Sequence, residues 1–295
     1  TGLSGMLGSN LARHCAAAGL SVSGISHRRR LNWPGVRQAT ADIAEPNYTA
    51  GLEPFASGLA IHCAAATDVD WCEKNEAETF RLNVEATGRL AAEAAQAGWR
   101  FVYISTDSVF DGSRGNYSER DTPRPVNVYA RSKLAGEQAA LAAGPDALIV
   151  RTNFYGLGGW NRGLAEWLLQ QLSASARING FDDVVFSPLF VGDLCPLILE
   201  LARAGVRGVV HVGSADSCSK YEFAIRMGRA FGLDTSVVTR SALGAWPRVA
   251  QRPLNTSLNV SKARGMLGRD LPSIEQGIQK FREIAAEYPT PVLMA

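Results

Sequence analysis

Four short runs of mostly apolar residues, Leu20 to Ser26, Leu59 to Ala65, Trp99 to Thr106 and Ala147 to Thr152, are rich in Val, Ile, Phe or Ala, and none alternates strictly with polar residues. A strand with one wet face would alternate. A parallel strand buried on both faces need not. Helical patterns lie between the runs: from Leu7 to Ala18 the apolar side chains Leu7, Leu11, Cys15 and Ala18 recur at three- and four-residue spacing, with Gly19 as a stop. Further helices are predicted over Cys72 to Ala97 and Tyr129 to Ala143. Strands alternating with helices predict an α/β fold built on a doubly wound parallel sheet.

After Thr152 the rhythm loosens. A Gly/Trp/Asn-rich stretch, Asn153 to Gly163, precedes predicted helices at Leu164 to Ser173, Val191 to Ala204, Lys220 to Phe231 and Ile274 to Tyr288. The sequence shows no internal repeat and no long flexible linker. Residues 1–152 are therefore expected to form a dinucleotide-binding domain, with 186–210 returning to it. Residues 153–185 and 211–295 are expected to form a smaller, interleaved substrate lobe, with the site in the cleft between the two. The 295 residues suffice for a sizeable core. With 30 Lys and Arg against 28 Asp and Glu, a net charge of +2 and 20% charged residues, an acidic tail, a coiled coil and a disordered chain are excluded. The only basic run is His27-Arg28-Arg29-Arg30, so neither nucleic acid nor a membrane surface is expected as a partner. A small molecule is.

Five scattered cysteines, Cys15, Cys63, Cys72, Cys195 and Cys218, are odd in number and contain no CxxC, which argues against a disulfide framework or a zinc site and for a reducing cytoplasm. No apolar run approaches the roughly 20 residues that span a bilayer, and no metal-ligand spacing emerges. His14 and His211 lie in apolar contexts and His62 closes a buried strand, so each reads as packing. Trp160 in the Gly-rich stretch is a candidate for stacking on a base, although tryptophan most often simply packs.

Gly2, Gly5 and Gly8 open the first helix at three-residue spacing, where missing side chains permit a tight turn and close approach of backbone N–H groups to a pyrophosphate. Such a turn normally follows a buried strand, so a strand is expected before Thr1. About 20 residues on, where an Asp or Glu would meet the adenosine ribose, stand His27, Arg28 and Arg29. Without a carboxylate, and with guanidinium groups able to fork onto phosphate, the site should prefer NADP(H), with NAD(H) as the secondary cofactor.

Tyr129 and Lys133 are separated by one helical turn and so share a helix face. A free tyrosine has a pKa near ~10, and a neighbouring ammonium is expected to bring it into the range of a general acid/base. Ser105-Thr106-Asp107-Ser108 ends a predicted strand, placing the Thr106 hydroxyl at the carboxyl edge, where open α/β sheets bind ligands. Thr106 could there hydrogen-bond a substrate carbonyl.

The segments TGLSGMLG, AAATDVDWCE, STDSVFDG, NVYARSKLAGEQ, RTNFYG and RPLNTSLN together resemble the extended short-chain dehydrogenase/reductases of Rossmann type, and among them the dTDP-4-dehydrorhamnose reductase group. The resemblance spans nearly the whole chain. It implies Thr106, Tyr129 and Lys133 as the catalytic set. It implies cofactor contacts at Gly2, Gly5, Met6, Leu7, Arg28, Arg29, Asp42, Ile43, Cys63, Ala64, Ala65 and Asn83, joined by His27 and by Tyr129 and Lys133 themselves. Val69, Asp70, Phe110, Phe154, Tyr155 and Arg252 fall where that group meets a sugar nucleotide. A homodimer is compatible with the sequence, which names no oligomeric state.

Two segments depart from the group. Phe181-Asp182-Asp183-Val184-Val185-Phe186-Ser187-Pro188 stands where an aspartate-glutamine-glycine type segment is usual, and RTNFYG replaces a version with Ser-Trp. Both would border the sugar, whose identity therefore stays open. The implied chemistry is hydride reduction of a 4-keto carbon on a nucleotide-linked deoxysugar, with Tyr129 as proton donor. The alternatives are an epimerase of the same superfamily and a non-catalytic regulatory subunit like that of methionine adenosyltransferase. A dehydratase is disfavoured because Asp107-Ser108 supplies one acid where two are expected.

Overall fold

The computed structural model describes residues 1–28, 30, 31, 33, 35–45, 48, 58–158 and 163–287. Its strands are β1 (Val22–Ser26), β2 (Val36–Thr40), β3 (Leu59–His62), β4 (Arg100–Thr106), β5 (Leu148–Thr152), β6 (Phe154–Tyr155), β7 (Ile178–Phe181), β8 (Val185–Phe186), β9 (Leu189–Phe190), β10 (Gly208–His211), β11 (Cys218–Ser219) and β12 (Val238–Ser241). The helices are α1 (Met6–Ala17), α2 (Val69–Lys74), α3 (Glu76–Phe80), α4 (Ala86–Gln96), α5 (Val128–Ala143), α6 (Leu164–Ser173), α7 (Val191–Arg203), α8 (Lys220–Ala230), α9 (Ser261–Leu267) and α10 (Ile274–Glu287).

The main sheet is parallel, in the order β10, β5, β4, β3, and β1 pairs in parallel with β2. Residues 1–3 lie between the two sheets: the Thr1 nitrogen donates to the Ile61 carbonyl at 2.8 Å, and the Leu3 nitrogen to that of Ile25 at 3.0 Å. Both faces of the main sheet are covered, which explains the unbroken apolar runs. Val102, Ile104, Leu148, Val150 and Val210 pack on the side of Leu7 and Leu11, while Phe101, Tyr103 and Ile149 pack on the side of Ala91, Ala94 and Ala140. Full burial of each such side chain contributes roughly 1.5–3 kcal/mol, so every position along β4 and β5 is under packing constraint.

One expectation needs correction, and one strand goes beyond the expected set. The helix predicted over Cys72 to Ala97 is broken into α2, α3, a π-helical turn at Arg81–Glu85 and α4. Asn75 leaves helical geometry at φ −131°, ψ 55°, and its amide donates to the Trp71 carbonyl at 2.8 Å, so a side chain competes with the helix ladder there. The strand β2 was not foreseen, because only Ala39 of Val36–Thr40 is buried and the apolar signal is correspondingly weak.

Beyond β5 the chain builds a smaller lobe in which β7 pairs in parallel with β12 and β8 antiparallel with β11. Tyr155, Phe190, Phe223 and Phe281 make its aromatic centre, with ring centroids 5.0–6.0 Å apart. From this lobe the chain returns to the main sheet at β10, which pairs with β5 from Gly208↔Leu148 to His211↔Arg151. Among the described residues, no helix is long and apolar enough to cross a membrane.

Candidate active site

The glycine turn is fixed by contact. Gly2 has φ +71°, and a Cβ there would stand 2.7 Å from the Ala64 nitrogen, while a Cβ on Gly8 would stand 2.1 Å from the Gly2 carbonyl oxygen. The turn is thus seated against Cys63 and Ala64, just after β3. Helix α1 starts at Met6, with Gly5 in the capping position, no side-chain cap and no acidic residue in its first turn. Its positive end is therefore suited to an anion. His27 and Arg28 are exposed at the end of β1, and Asp42 follows β2 with Oδ2 3.9 Å from His27 Nε2. Arg29 and Trp160 lie outside the described residues. The Leu7 side chain packs in the main core and that of Ile43 against Ile25, Tyr48 and Ala86, so either could meet a cofactor only through its backbone.

Thr106 ends β4, and α5 carries Tyr129 and Lys133 past it. The helix approaches closely because of Gly136, where a Cβ would stand 2.4 Å from the Asn83 carbonyl oxygen and the Tyr103 hydroxyl. Lys133 is buried, donates to the Ile104 carbonyl at 2.7 Å and lies 4.0 Å from the Tyr103 ring centroid. Burial pulls its pKa down to about 7, against the opposing pull of Glu137. Burial pushes the Tyr129 phenol up to about 12, with a hydrogen bond to Thr106 acting in the opposite direction. The expectation that Lys133 brings Tyr129 into working range is therefore corrected: burial dominates, and the ammonium is directed to the Ile104 carbonyl. At neutral pH the phenol is protonated, as a proton donor must be.

Asn83, at the centre of the π-helical turn, is fully buried and holds two segments of the site together. Its amide exchanges hydrogen bonds with the Ala66 backbone at 2.8 and 3.1 Å and donates to Ser132 Oγ at 2.9 Å. Ala65 and Cys63 are half-buried beside the glycine turn.

Of the residues expected to meet a sugar nucleotide, Arg252 pairs with Asp70 at 3.0 Å, and the second residue of α2 so meets the 251–256 segment; Asp70 also accepts from the Ala250 nitrogen at 3.0 Å. Val69 and Phe154 are half-buried. Phe110 and Tyr155 need correction as substrate contacts. Phe110 is wholly buried and stacked on Tyr117 at 4.2 Å, and Tyr155 is 2% exposed in the aromatic centre of the lobe, so neither side chain is open to a substrate. Asp182 and Asp183 serve the lobe, the first pairing with Arg240 and the second accepting from the Leu243 nitrogen at 2.9 and 3.0 Å.

Sequence reasoning missed the residues that tie the site together. Asn127 caps α5 by accepting from the Ala130 nitrogen at 2.8 Å, and its amide donates to the Gln251 carbonyl at 2.8 Å. An Asn two residues before the tyrosine of the motif is a readable cap signal. Asp107, 1% exposed, accepts from Thr106 Oγ1 at 3.2 Å, Ser108 Oγ at 3.3 Å, Asn153 Nδ2 at 3.0 Å and Thr256 Oγ1 at 2.7 Å. Three of these donors, from positions 106, 153 and 256, are far apart in sequence.

A parallel sheet carrying Thr106 at a strand end, a Tyr129/Lys133 helix beside it and a glycine turn on the neighbouring strand define a short-chain dehydrogenase/reductase of the extended type. The sequence model described as "RmlD substrate binding domain" matches residues 1–286, and the chain belongs to that family. A "Probable low-salt glycan biosynthesis reductase Agl14" of Haloferax volcanii is 33% identical over 293 residues, covering 98% of each chain. A dTDP-4-dehydrorhamnose reductase of Mycobacterium tuberculosis is 35% identical over 265 residues, covering 88% of this chain and 83% of that one. The methionine adenosyltransferase 2 subunit beta of Rattus norvegicus is 30% identical over 285 residues, covering 89% and 80%. Among solved structures, dTDP-4-dehydrorhamnose reductase from Bacillus anthracis in complex with NADP superposes with a TM-score of 0.83 at 26% identity, covering 96% and 97%.

Proposed function

We propose that this protein is an NADPH-dependent reductase of a 4-keto group on a nucleotide-linked deoxysugar. The observation that carries the reading is the convergence of Thr106, Tyr129 and Lys133 at the carboxyl edge of β4, with the Gly2 turn seated on the segment after β3. The turn fits a dinucleotide: its backbone leaves no room for a Cβ at Gly2 or Gly8, and the first turn of α1 carries neither cap nor acid. Gly2, Gly5, Met6 and Leu7 would hold the pyrophosphate through backbone N–H groups, and His27, Arg28 and Arg29 would face the adenosine ribose and its phosphate. Asp42, Ile43, Cys63, Ala64, Ala65 and Asn83 would line the remaining cofactor path. NADPH bound there supplies the hydride.

Tyr129 holds the proton for the developing alkoxide on its phenol oxygen, and Thr106 orients the carbonyl. Lys133, anchored on the Ile104 carbonyl, would hold the nicotinamide ribose. Arg252, Asp70, Val69 and Phe154 bind the sugar nucleotide. Residues 1–152, with α7 and β10 (Gly208–His211) returning to them, form the cofactor domain; the expected return over 186–210 is shifted, because β8 and β9 pair with β11 and β6 in the substrate lobe while His211 still belongs to the main sheet. The five free thiols suit a reducing compartment, the cytoplasm. The test is NADPH oxidation with a panel of 4-keto sugar nucleotides. Turnover of none, with tight NADPH binding, would favour the regulatory-subunit reading that the rat relative raises.

Replacing Arg28 with Ala, alone or with Arg29→Ala, removes charge-assisted contacts of roughly 1.5–3 kcal/mol each. The Michaelis constant for NADPH should rise by roughly 10- to 100-fold per contact while that for NADH stays within about twofold. Equal affinity of the parent for the two cofactors would sink the NADP(H) preference. Arg252→Ala should raise the Michaelis constant for the sugar nucleotide by about tenfold or more and leave NADPH binding unchanged. An unchanged constant would make Arg252 a brace for Asp70 and nothing more.

A further inference from the structure

We propose that Lys220, on the C-terminal lobe, is a positioning residue: its ammonium keeps the Asp107 carboxylate ionised, and Asp107 thereby fixes the Thr106 hydroxyl and the 251–256 segment in one arrangement. The inference deepens the reductase reading and rests on it.

Asp107 gathers four donors, and all are neutral: two hydroxyls and an amide from Thr106, Thr256 and Asn153, and the hydroxyl of Ser108. An ionised carboxylate is acceptor-only and satisfies all four, whereas a protonated one would turn an O–H towards a donor and lose acceptor capacity. Burial opposes ionisation and pushes the Asp107 pKa up; the hydrogen bond from Thr256 acts against it, and after it the charge of Lys220. A carboxylate buried without any counter-charge would take up a proton instead.

The lysine stands where a lysine is otherwise unfavourable. It is the first residue of α8, at the helix end that repels cations. The chain holds it there firmly: Ser219 and Glu222 form a capping box, and the Lys220 nitrogen donates to the Val184 carbonyl at 2.9 Å. Its ammonium lies 3.3 Å from the centroid of the Phe186 ring, a contact that binds a cation without cancelling its charge. Among the described groups, those that act on it are Asp107, just after β4, and the Cys218 thiol of the preceding β11. Tyr129 on α5 faces the same Asp107. The other acids of the neighbourhood are engaged: Glu222 with the Ser219 nitrogen, Asp182 with Arg240, Asp216 with Arg226, and Asp193 of α7 with Lys280 of α10. Lys220 and Asp107 meet across β8: the Lys220 nitrogen donates to Val184 and its ammonium rests on Phe186, Val185 accepts from the Thr256 nitrogen at 2.9 Å, and Thr256 donates to Asp107 at 2.7 Å, so the lysine belongs to the same buried group as the carboxylate that accepts from Thr106.

Burial draws the Lys220 pKa down to about 8, so its charge is present below that value and lost as pH rises through it. Lys220→Arg keeps the charge at all working pH, and Lys220→Met has none. With a sugar nucleotide that the parent reduces, Lys220→Met should lower kcat by about 10- to 100-fold with NADPH affinity unchanged. Lys220→Arg should recover most of that loss, and its kcat/KM relative to the parent should climb above pH 8. Lys133 contributes to the pH profile of parent and variants alike and drops out of the ratio. A second measurement needs no turnover: the Asp107 carboxyl, followed by carbon NMR and assigned with Asp107→Asn, should titrate about 1 unit or more higher in Lys220→Met than in the parent or in Lys220→Arg. An unshifted carboxyl in Lys220→Met, or an Arg variant no better than the Met variant, overturns the proposal. A parent that reduces no keto-sugar nucleotide overturns the reductase reading, and the carboxyl titration still decides the pair.

Discussion

Tyr129→Phe should abolish reduction and leave NADPH binding nearly intact. The substitution keeps the ring and removes one hydroxyl, so packing on α5 barely changes, whereas the alkoxide loses its proton donor and the rate should fall by about 100- to 10,000-fold. Lys133→Ala should behave differently. Its ammonium is buried on the Ile104 carbonyl and the Tyr103 ring, and its loss should lower both turnover and NADPH affinity. Thr106→Val should fall between the two, losing the orienting hydroxyl and one of the donors to Asp107 but not the acid. Steady-state NADPH oxidation beside a cofactor titration separates the three. If Tyr129→Phe keeps most of the parent's turnover, Tyr129 is not the proton donor.

The second large effect is on stability. Arg151 and Glu137, 5% and 3% exposed, are joined by two hydrogen bonds of 2.7 and 2.9 Å, and Ser105 donates to the same carboxylate. Arg151 also approaches His211 Nε2 at 3.5 Å, and His211, held to a pKa of about 3 by burial and then by that guanidinium, stays neutral and adds no second positive charge beside it. Glu137→Ala should therefore leave a buried guanidinium uncompensated and destabilise the fold by about 3–5 kcal/mol in a urea melt. Glu137→Leu combined with Arg151→Met should cost much less, because no charge is left behind. A single-variant loss below about 1 kcal/mol would mean that water reaches Arg151.

What could be read from the sequence follows the range of the interactions that set it. The glycine turn, the Tyr129/Lys133 spacing and the strand-end Thr106 are each specified within a few residues, and each stands where the pattern placed it. The parallel strands were legible because burial on both faces leaves an unbroken apolar run. The edge strand β2 has one buried residue and left no such mark. Phe110 and Tyr155 carried the right motif position, but their depth depends on Tyr117, Phe190, Phe223 and Phe281 arriving from other parts of the chain. The tie from Asn127 to Gln251 and the group around Asp107 join residues more than a hundred positions apart, and no local spacing encodes them.

The return of the chain at β10 sets an order of events during synthesis. β5 leaves the ribosome with its N–H and C=O groups already spoken for on the β4 side, but the partner for its other edge is encoded only after the whole of residues 153–207. Until Gly208–His211 emerges, that edge is a template for the wrong strand. The first half of the chain therefore cannot mature ahead of the second, and a fragment ending after Thr152 would carry a bare apolar edge rather than a finished domain.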